Sequence, residues 1–169
     1  YTVSSTGNTV GKFVIDKKDI IAISGITGID KAYDGLTSTT LNTSNVVITG
    51  IIEGDNLNLI NSTGVFSDKN VGSNKNVNIS LSLSGTDSAN YNLIPTSAST
   101  TASITPKAIT VSADDLSKVY GQTDSTLTYT ANGLVGTDTL SGTLKREAGE
   151  NKGDYAISQD TALTNSNYT

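Results

Sequence analysis

The residues best equipped for chemistry stand in one short phrase, Lys31-Ala32-Tyr33-Asp34-Gly35, where an amine, a phenol and a carboxylate fall within four positions. Read alone, the phrase could form a polar site with a base and an aromatic platform. Its echo, Lys118-Val119-Tyr120-Gly121-Gln122, keeps the Lys and the Tyr and loses the Asp. A shared reaction would need the whole set, whereas a shared folding anchor needs only what both copies keep. The phrase is therefore read as the marker of a module start, with Lys31, Tyr33, Gly35, Lys118, Tyr120 and Gly121 as structural residues.

Other chemistries find little to work with. His, Cys, Met and Trp are all absent, which removes the commonest general base, the thiolate metal clusters and any disulfide. A serine nucleophile would have to rely on a lysine, yet Lys31 and Lys118 read as charges that protect strand edges. The acidic residues are scattered through turns rather than gathered with aromatics, so paired-carboxylate glycoside hydrolysis is not expected. Asp114-Asp115, near the start of the second module, is the best-placed pair for an interdomain calcium ion. No EF-hand or glycine-aspartate nonapeptide spacing accompanies it, and Asp beside Gly is first of all a turn former. The chain is expected to be no enzyme and to carry no cofactor, calcium being the one exception open.

Charge and hydropathy exclude two partner classes. A formal net charge of -5 repels a phosphate backbone, so nucleic acid is not expected. No apolar run approaches the roughly 20 residues needed to cross a bilayer as a helix, so no membrane insertion is expected. Thr, Ser, Asn and Gly crowd the sequence while charged residues make up only 16%. That mixture suits strands with one wet face.

The elements that must position these residues are almost all strands. Residues 77–85 alternate Val, Ile, Leu and Leu with Asn and Ser, as an antiparallel strand with one buried face does. Residues 20–29, 45–52, 56–61 and 65–66 read as further strands, and 68–75 as a polar loop. In the second half, 108–113, 127–130, 140–146 and 155–158 read the same way. Only 145–151 could pass for a turn of helix, and Gly149 and Gly153 argue against extending it.

The repeat extends well beyond the opening phrase. Residues 50–57 match 133–140, 69–72 match 150–153, and Ala89-Asn90-Tyr91 matches Ser166-Asn167-Tyr168. From Lys31 to Lys118 is 87 residues but from Tyr91 to Tyr168 only 77, so the second copy is a trimmed relative. Three regions follow: 1–17 as the terminal strand of a preceding repeat or a linker, 18–105 as one β module, and 106–169 as a second. The whole reads as a stretch of a longer tandem array.

The phrases Lys31 to Gly35, Gly54-Asp55, Phe66 to Gly72 and Leu83 to Tyr91 resemble the YDG domain of large bacterial haemagglutinin-like surface proteins. Lys118 to Gln122, Gly133-Leu134-Val135, Asp138 to Gly142, Ala148 to Ile157 and Ser166-Asn167-Tyr168 resemble the companion MBG domain of the Tyr-Gly type. The resemblance implies tandem repeats of a secreted or outer-surface adhesin, serving as stalk or adhesive modules, with no catalytic residues attached, and it implies that 106–169 lacks its last strand, because the MBG pattern runs on past Asn-Tyr-Thr.

The fold class expected is all-β: two tandem small antiparallel modules, each an immunoglobulin-like sandwich or, if a short helix intervenes, a β-grasp-like sheet. Tyr33, Tyr91, Tyr120 and Tyr168 are expected to anchor their modules, rings buried and hydroxyls bonded near a corner. Stacking on a sugar or a partner is the alternative. The expected location is the bacterial cell surface, with neighbouring repeats, and a host or cell-surface glycan or protein, as partners. Tyr1-Thr2 repeats Tyr168-Thr169, so residues 1–17 are also candidates for head-to-tail strand exchange between copies.

Overall fold

The computed structural model describes residues 11–60 and 63–169. The first module carries β1 (Lys18–Ile20), β2 (Ala22–Ser24), β3 (Thr27–Gly28), β4 (Lys31–Ala32), β5 (Ser38–Asn42) and β6 (Val47–Thr49). It continues with β7 (Asn58–Ile60), β8 (Thr63–Phe66), β9 (Gly72–Ser80), β10 (Ser82–Ser84), β11 (Tyr91–Leu93) and β12 (Ser97–Thr105). The second module has β13 (Thr110–Ala113), β14 (Tyr129–Asn132), β15 (Ser141–Arg146) and β16 (Ile157–Thr164). The protein is all-β: among the described residues the only helical turn is a short 3-10 turn at Ser88–Asn90. With no α-helix there to pack on a sheet, the β-grasp alternative falls away.

Six strands of the first module form one sheet in the order β3-β5-β8-β9-β12-β4. Its edge strands, β3 and β4, are separated by only two residues in the chain, so the sheet must curl until its edges approach. Gly28 permits this, because a Cβ there would stand 2.9 Å from the Ala102 Cβ on β12. The curled sheet fits a β sandwich.

The alternation along residues 77–81 then does what period 2 requires. Val77, Ile79 and Leu81 point inward and pack with Tyr33, Leu41, Phe66, Ala102 and Ile104, while Asn76, Asn78 and Ser80 stay outside. Each large apolar side chain so buried contributes about 1.5–3 kcal/mol.

Two departures from the sequence reading have simple causes. Strand β5 was not expected, since Leu41 is its only large apolar residue. It forms because Thr39 can face inward, its hydroxyl donating to the Ile29 carbonyl at 2.7 Å. The stretch 68–75, read as a loop, is strand from Gly72 onward, where polar residues continue β9 along β12 with Lys75 opposite Ala102. In the second module 141–146 is strand and nothing in 145–151 is helical.

Both modules tie their start to their end by parallel pairing. Lys18 pairs with Tyr91, and Lys107 pairs with Tyr168. They differ in length because the first module spreads one long hairpin over two sheets, β7 with β10 and β8 with β9, whereas the second condenses it into β15 with β16. The burial is uneven too. Among the described residues every buried apolar residue belongs to the first module, and Asn167 is the only buried residue between 106 and 169.

Residues 1–17 are the stretch read from the sequence as the terminal strand of a preceding repeat or a linker. Residues 11–17 carry no strand and are exposed, while 1–10 lie outside the described residues.

Candidate functional site

Each module closes on the same polar corner. In the first, a tight turn brings the Asp55 N–H to the Ile52 carbonyl at 3.1 Å, and the 3-10 turn delivers Tyr91. The Tyr91 hydroxyl accepts from the Ile52 N–H at 2.9 Å and donates to Asp55 Oδ2 at 2.6 Å. In the second, Asp138 N–H meets the Val135 carbonyl at 3.0 Å, and the Tyr168 hydroxyl accepts from Val135 N–H at 2.9 Å. That hydroxyl then donates to Asp138 Oδ2 at 2.6 Å. A buried phenol needs a partner, and here it has one on each side.

The second corner differs in one respect: the first module sits on it. The Tyr33 hydroxyl crosses from the first module and donates to the same Asp138 Oδ2 at 2.8 Å. The Tyr33 and Tyr168 rings meet edge to face, centroids 5.4 Å apart at 77°. Such a pair adds about 0.5–1.5 kcal/mol beyond the area it buries. Beside them Asn167 accepts from the Val71 N–H at 2.9 Å and donates to Asn70 Oδ1 at 3.3 Å, both across the joint.

Local structure aims this set. Tyr33 follows β4, and its N–H donates to the Thr105 carbonyl at 2.9 Å, which fixes its backbone to the end of β12. Asp34 Oδ1 accepts from the Leu36 N–H two residues on, a turn that Asp forms readily. Lys31 Nζ donates to that same oxygen at 2.7 Å and to the Leu36 and Ser38 carbonyls, both at 2.8 Å. It also lies 5.8 Å from the centre of the Phe66 ring. Gly35 then turns with φ of +78°, and a Cβ there would stand 2.8 Å from Val135 Cγ1. So Tyr33 bonds the next module, Asp34 shapes the turn, and Gly35 allows the approach.

The electrostatics follow from the geometry. Hydrogen bonds from Tyr168 and Tyr33 hold the Asp138 carboxyl below the usual carboxylate range. The bond to Asp138, and then burial, push the Tyr33 hydroxyl up to about 12. Burial and the bond to Asp138 raise Tyr168 as well. These directions move all three groups away from proton transfer at neutral pH. The arrangement is chemically a clasp.

Of the residues singled out in the sequence, Tyr33, Gly35 and Tyr168 meet at this joint, Lys31 braces the Asp34 turn from within the first module, and Tyr91 forms the matching corner of its own module. Lys118, Tyr120 and Gly121 lie elsewhere. Lys118 bridges Asp124 at 2.7 Å and Glu150 at 2.6 Å. Tyr120 departs from the expected buried anchor, with 76% of its surface exposed. The cause is local: Tyr33 is tied to β12, and no strand flanks Tyr120 in the same way. Gly121 turns with φ of +85° in open space. Asp114 accepts from the Thr130 hydroxyl at 2.8 Å. Among the described residues no three acidic side chains converge around Asp114-Asp115 or elsewhere to suit a metal ion.

Sequence reading missed Asp138, Val135 and Asn167 as site residues. The signal existed, because Asp138 and Asp55 fall at matching positions of the repeat. What could not be seen was that a tyrosine 105 positions earlier would share the carboxylate.

No curated protein and no solved structure matches the chain. A family model for the YDG domain matches residues 16–102, just over half of the chain, and one for the MBG domain of YGX type matches residues 109–169. A YDG domain is thus followed by an MBG domain of YGX type, and the chain belongs to the YDG domain family.

Proposed function

We propose that this chain is a structural repeat unit of an extracellular bacterial adhesin, working as a stalk or spacer without catalysis. The observation that carries the reading is the direction of the Tyr33-Asp34-Gly35 motif. Its phenol and its glycine face Asp138 and Val135 of the next module. A motif spent on the neighbour serves to fix the angle between modules, as a stalk requires.

The first module offers the counterpart corner. Asp55 receives Tyr91, and Asn90 is exposed where its counterpart Asn167 is buried. A preceding module of the same kind would set its own motif tyrosine there, and the joint would recur along an array. The Thr, Ser and Asn that cover the outer strand faces support a setting in bulk water at the cell surface.

The test is scattering from concatenated copies of residues 18–169, together with a glycan array. A stalk gives a particle whose length grows linearly with copy number and whose stiffness is lost in Asp138→Ala, with no glycan retained. Flexible wild-type arrays would contradict the stalk, and a retained glycan whose binding needs the exposed Tyr120 would favour a binding module.

A further inference from the structure

Cys, Met, Trp and His are absent from the chain, so an oxidant that would be spent on those side chains meets tyrosine as the most easily oxidised residue. The seven tyrosines are not equivalent. Among the described residues the one pair of aromatic rings in contact is Tyr33 with Tyr168, edge to face with centroids 5.4 Å apart. Both hydroxyls donate to a single oxygen, Asp138 Oδ2, at 2.8 and 2.6 Å. Loss of an electron makes a phenol O–H strongly acidic, and a carboxylate already bonded to that proton takes it up in place. Asp138 is half-buried, so the proton can pass on to water.

The other described tyrosines each lack part of this arrangement. Tyr91 has the same kind of carboxylate bond, to Asp55 at 2.6 Å, but among the described residues no second ring meets it. Tyr120 is exposed to any oxidant and is again without a partner ring there. Tyr129 and Tyr155 donate to the Leu140 and Asn151 carbonyls, which are far weaker bases than a carboxylate. A base and a second ring coincide at the joint. Tyr33 is also buried, which shields its ring from tyrosines of other chains.

We propose that Tyr33 and Tyr168 form an oxidative coupling site, at which a one-electron oxidant joins the two modules covalently. Two equivalents of the oxidant take one electron from each phenol, and each hydroxyl proton leaves through Asp138. The two phenoxyl radicals combine through a carbon ortho to each oxygen, so one C–C bond forms. The hydrogens on those two carbons then move as protons to the oxygens, which restores both aromatic rings and both hydroxyls. The net change is the loss of two electrons and two protons. For the bond to form, the rings must turn from their 77° arrangement toward a shared edge, with the hydroxyls still at Asp138. The second ring is already beside the first and need not diffuse to it. The inference rests on the geometry of the joint and not on the stalk reading, since a stalk needs a fixed angle whether or not its joint can be oxidised.

The experiment uses the 169-residue chain with Tyr120→Phe, which removes an exposed ring open to coupling between chains. The oxidant is the tris-bipyridyl ruthenium(III) cation, generated by light with persulfate as the final electron acceptor. The intact mass is expected to fall by two hydrogens with the chain still monomeric. Trypsin should then leave peptides 32–69 and 153–169 joined, and fragmentation should place the bond between Tyr33 and Tyr168 rather than Tyr155. This linkage should exceed any that involves Tyr91 by at least about tenfold, because its partner ring is already in place. Its yield per chain should not change on dilution, and Tyr33→Phe should abolish it. Oxidised monomer whose two peptides stay separate, linkage spread evenly over the tyrosines, or linkage found only between chains would overturn the proposal. A joint that is rigid but does not couple sinks this inference and leaves the stalk; flexible arrays that still couple do the reverse.

Discussion

Tyr33 and Asp138 are 105 residues apart in the chain and 2.8 Å apart in space, and the oxygen they share also receives Tyr168 at 2.6 Å. One carboxylate therefore closes its own module and holds the previous one. Tyr33→Phe keeps the ring and removes only the crossing bond, so it is expected to cost about 1–2 kcal/mol. Asp138→Ala strands two phenols at once and is expected to cost more than Tyr33→Phe, since bonds to charged groups are the stronger class. Urea denaturation of both variants checks the order. Equal losses would show that Tyr33 contributes nothing through its hydroxyl.

Gly35 should be sensitive for two reasons and Gly54 for one. Both have left-handed backbone, φ +78° and +95°, but only Gly35 has Val135 against it. An alanine costs about 1–2 kcal/mol at either site for the backbone alone. Gly35→Ala is expected to cost more than Gly54→Ala, and the excess should shrink in a Val135→Ala background. A double-mutant cycle in denaturant measures that coupling.

The pH dependence of the joint has two limbs. Asp138 is depressed by its bonds from Tyr168 and Tyr33, so its stabilisation is present above the unfolded carboxylate value and is lost as pH falls below about 4. Tyr33 is raised to about 12 by its bond to Asp138 and by burial, so its stabilisation is present below its unfolded value near 10 and is lost as pH climbs through 12. Denaturation midpoints across pH should form a plateau with a fall at each end. Asp138→Asn should weaken the acid limb. An acid limb unchanged in that variant would assign it to other carboxylates.

The second module relies on a polar network more than on a core. Arg146 donates to Asp124 at 3.0 Å and Glu150 at 2.8 Å and lies 4.9 Å from the centre of the Tyr155 ring. Arg146→Met, which keeps bulk and loses the donors, is expected to lower the urea midpoint measurably, because it removes the bonds to both carboxylates. Lys145 faces Asp160 at 3.6 Å with both side chains more than half exposed, so Lys145→Met should change stability by less than about 0.5 kcal/mol. Urea midpoints for the pair check this, and the Arg146 effect should diminish with added salt.

Much of this fold was legible because its strands obey period 2 where apolar residues are dense, as from Val77 to Leu81. It was illegible where hydroxyl side chains face inward, as Thr39 does, because satisfaction by a specific carbonyl leaves no trace in a hydropathy pattern. The corner tyrosines were legible from their recurrence. The clasp was not, since the repeat shows only that Asp138 matches Asp55 and not that Tyr33 reaches it. Tyr120 marks the converse failure: sequence likeness to Tyr33 promised burial, and burial depends on a flanking strand that the second module does not provide.

The central claim is that Tyr33, Asp138 and Tyr168 hold the two modules as one body. Residual dipolar couplings from residues 18–105 and 107–169, measured on the same aligned sample, test it most directly. The account predicts that both sets fit one alignment tensor in the wild type and separate into two in Asp138→Ala. Two independent tensors in the wild type would contradict it.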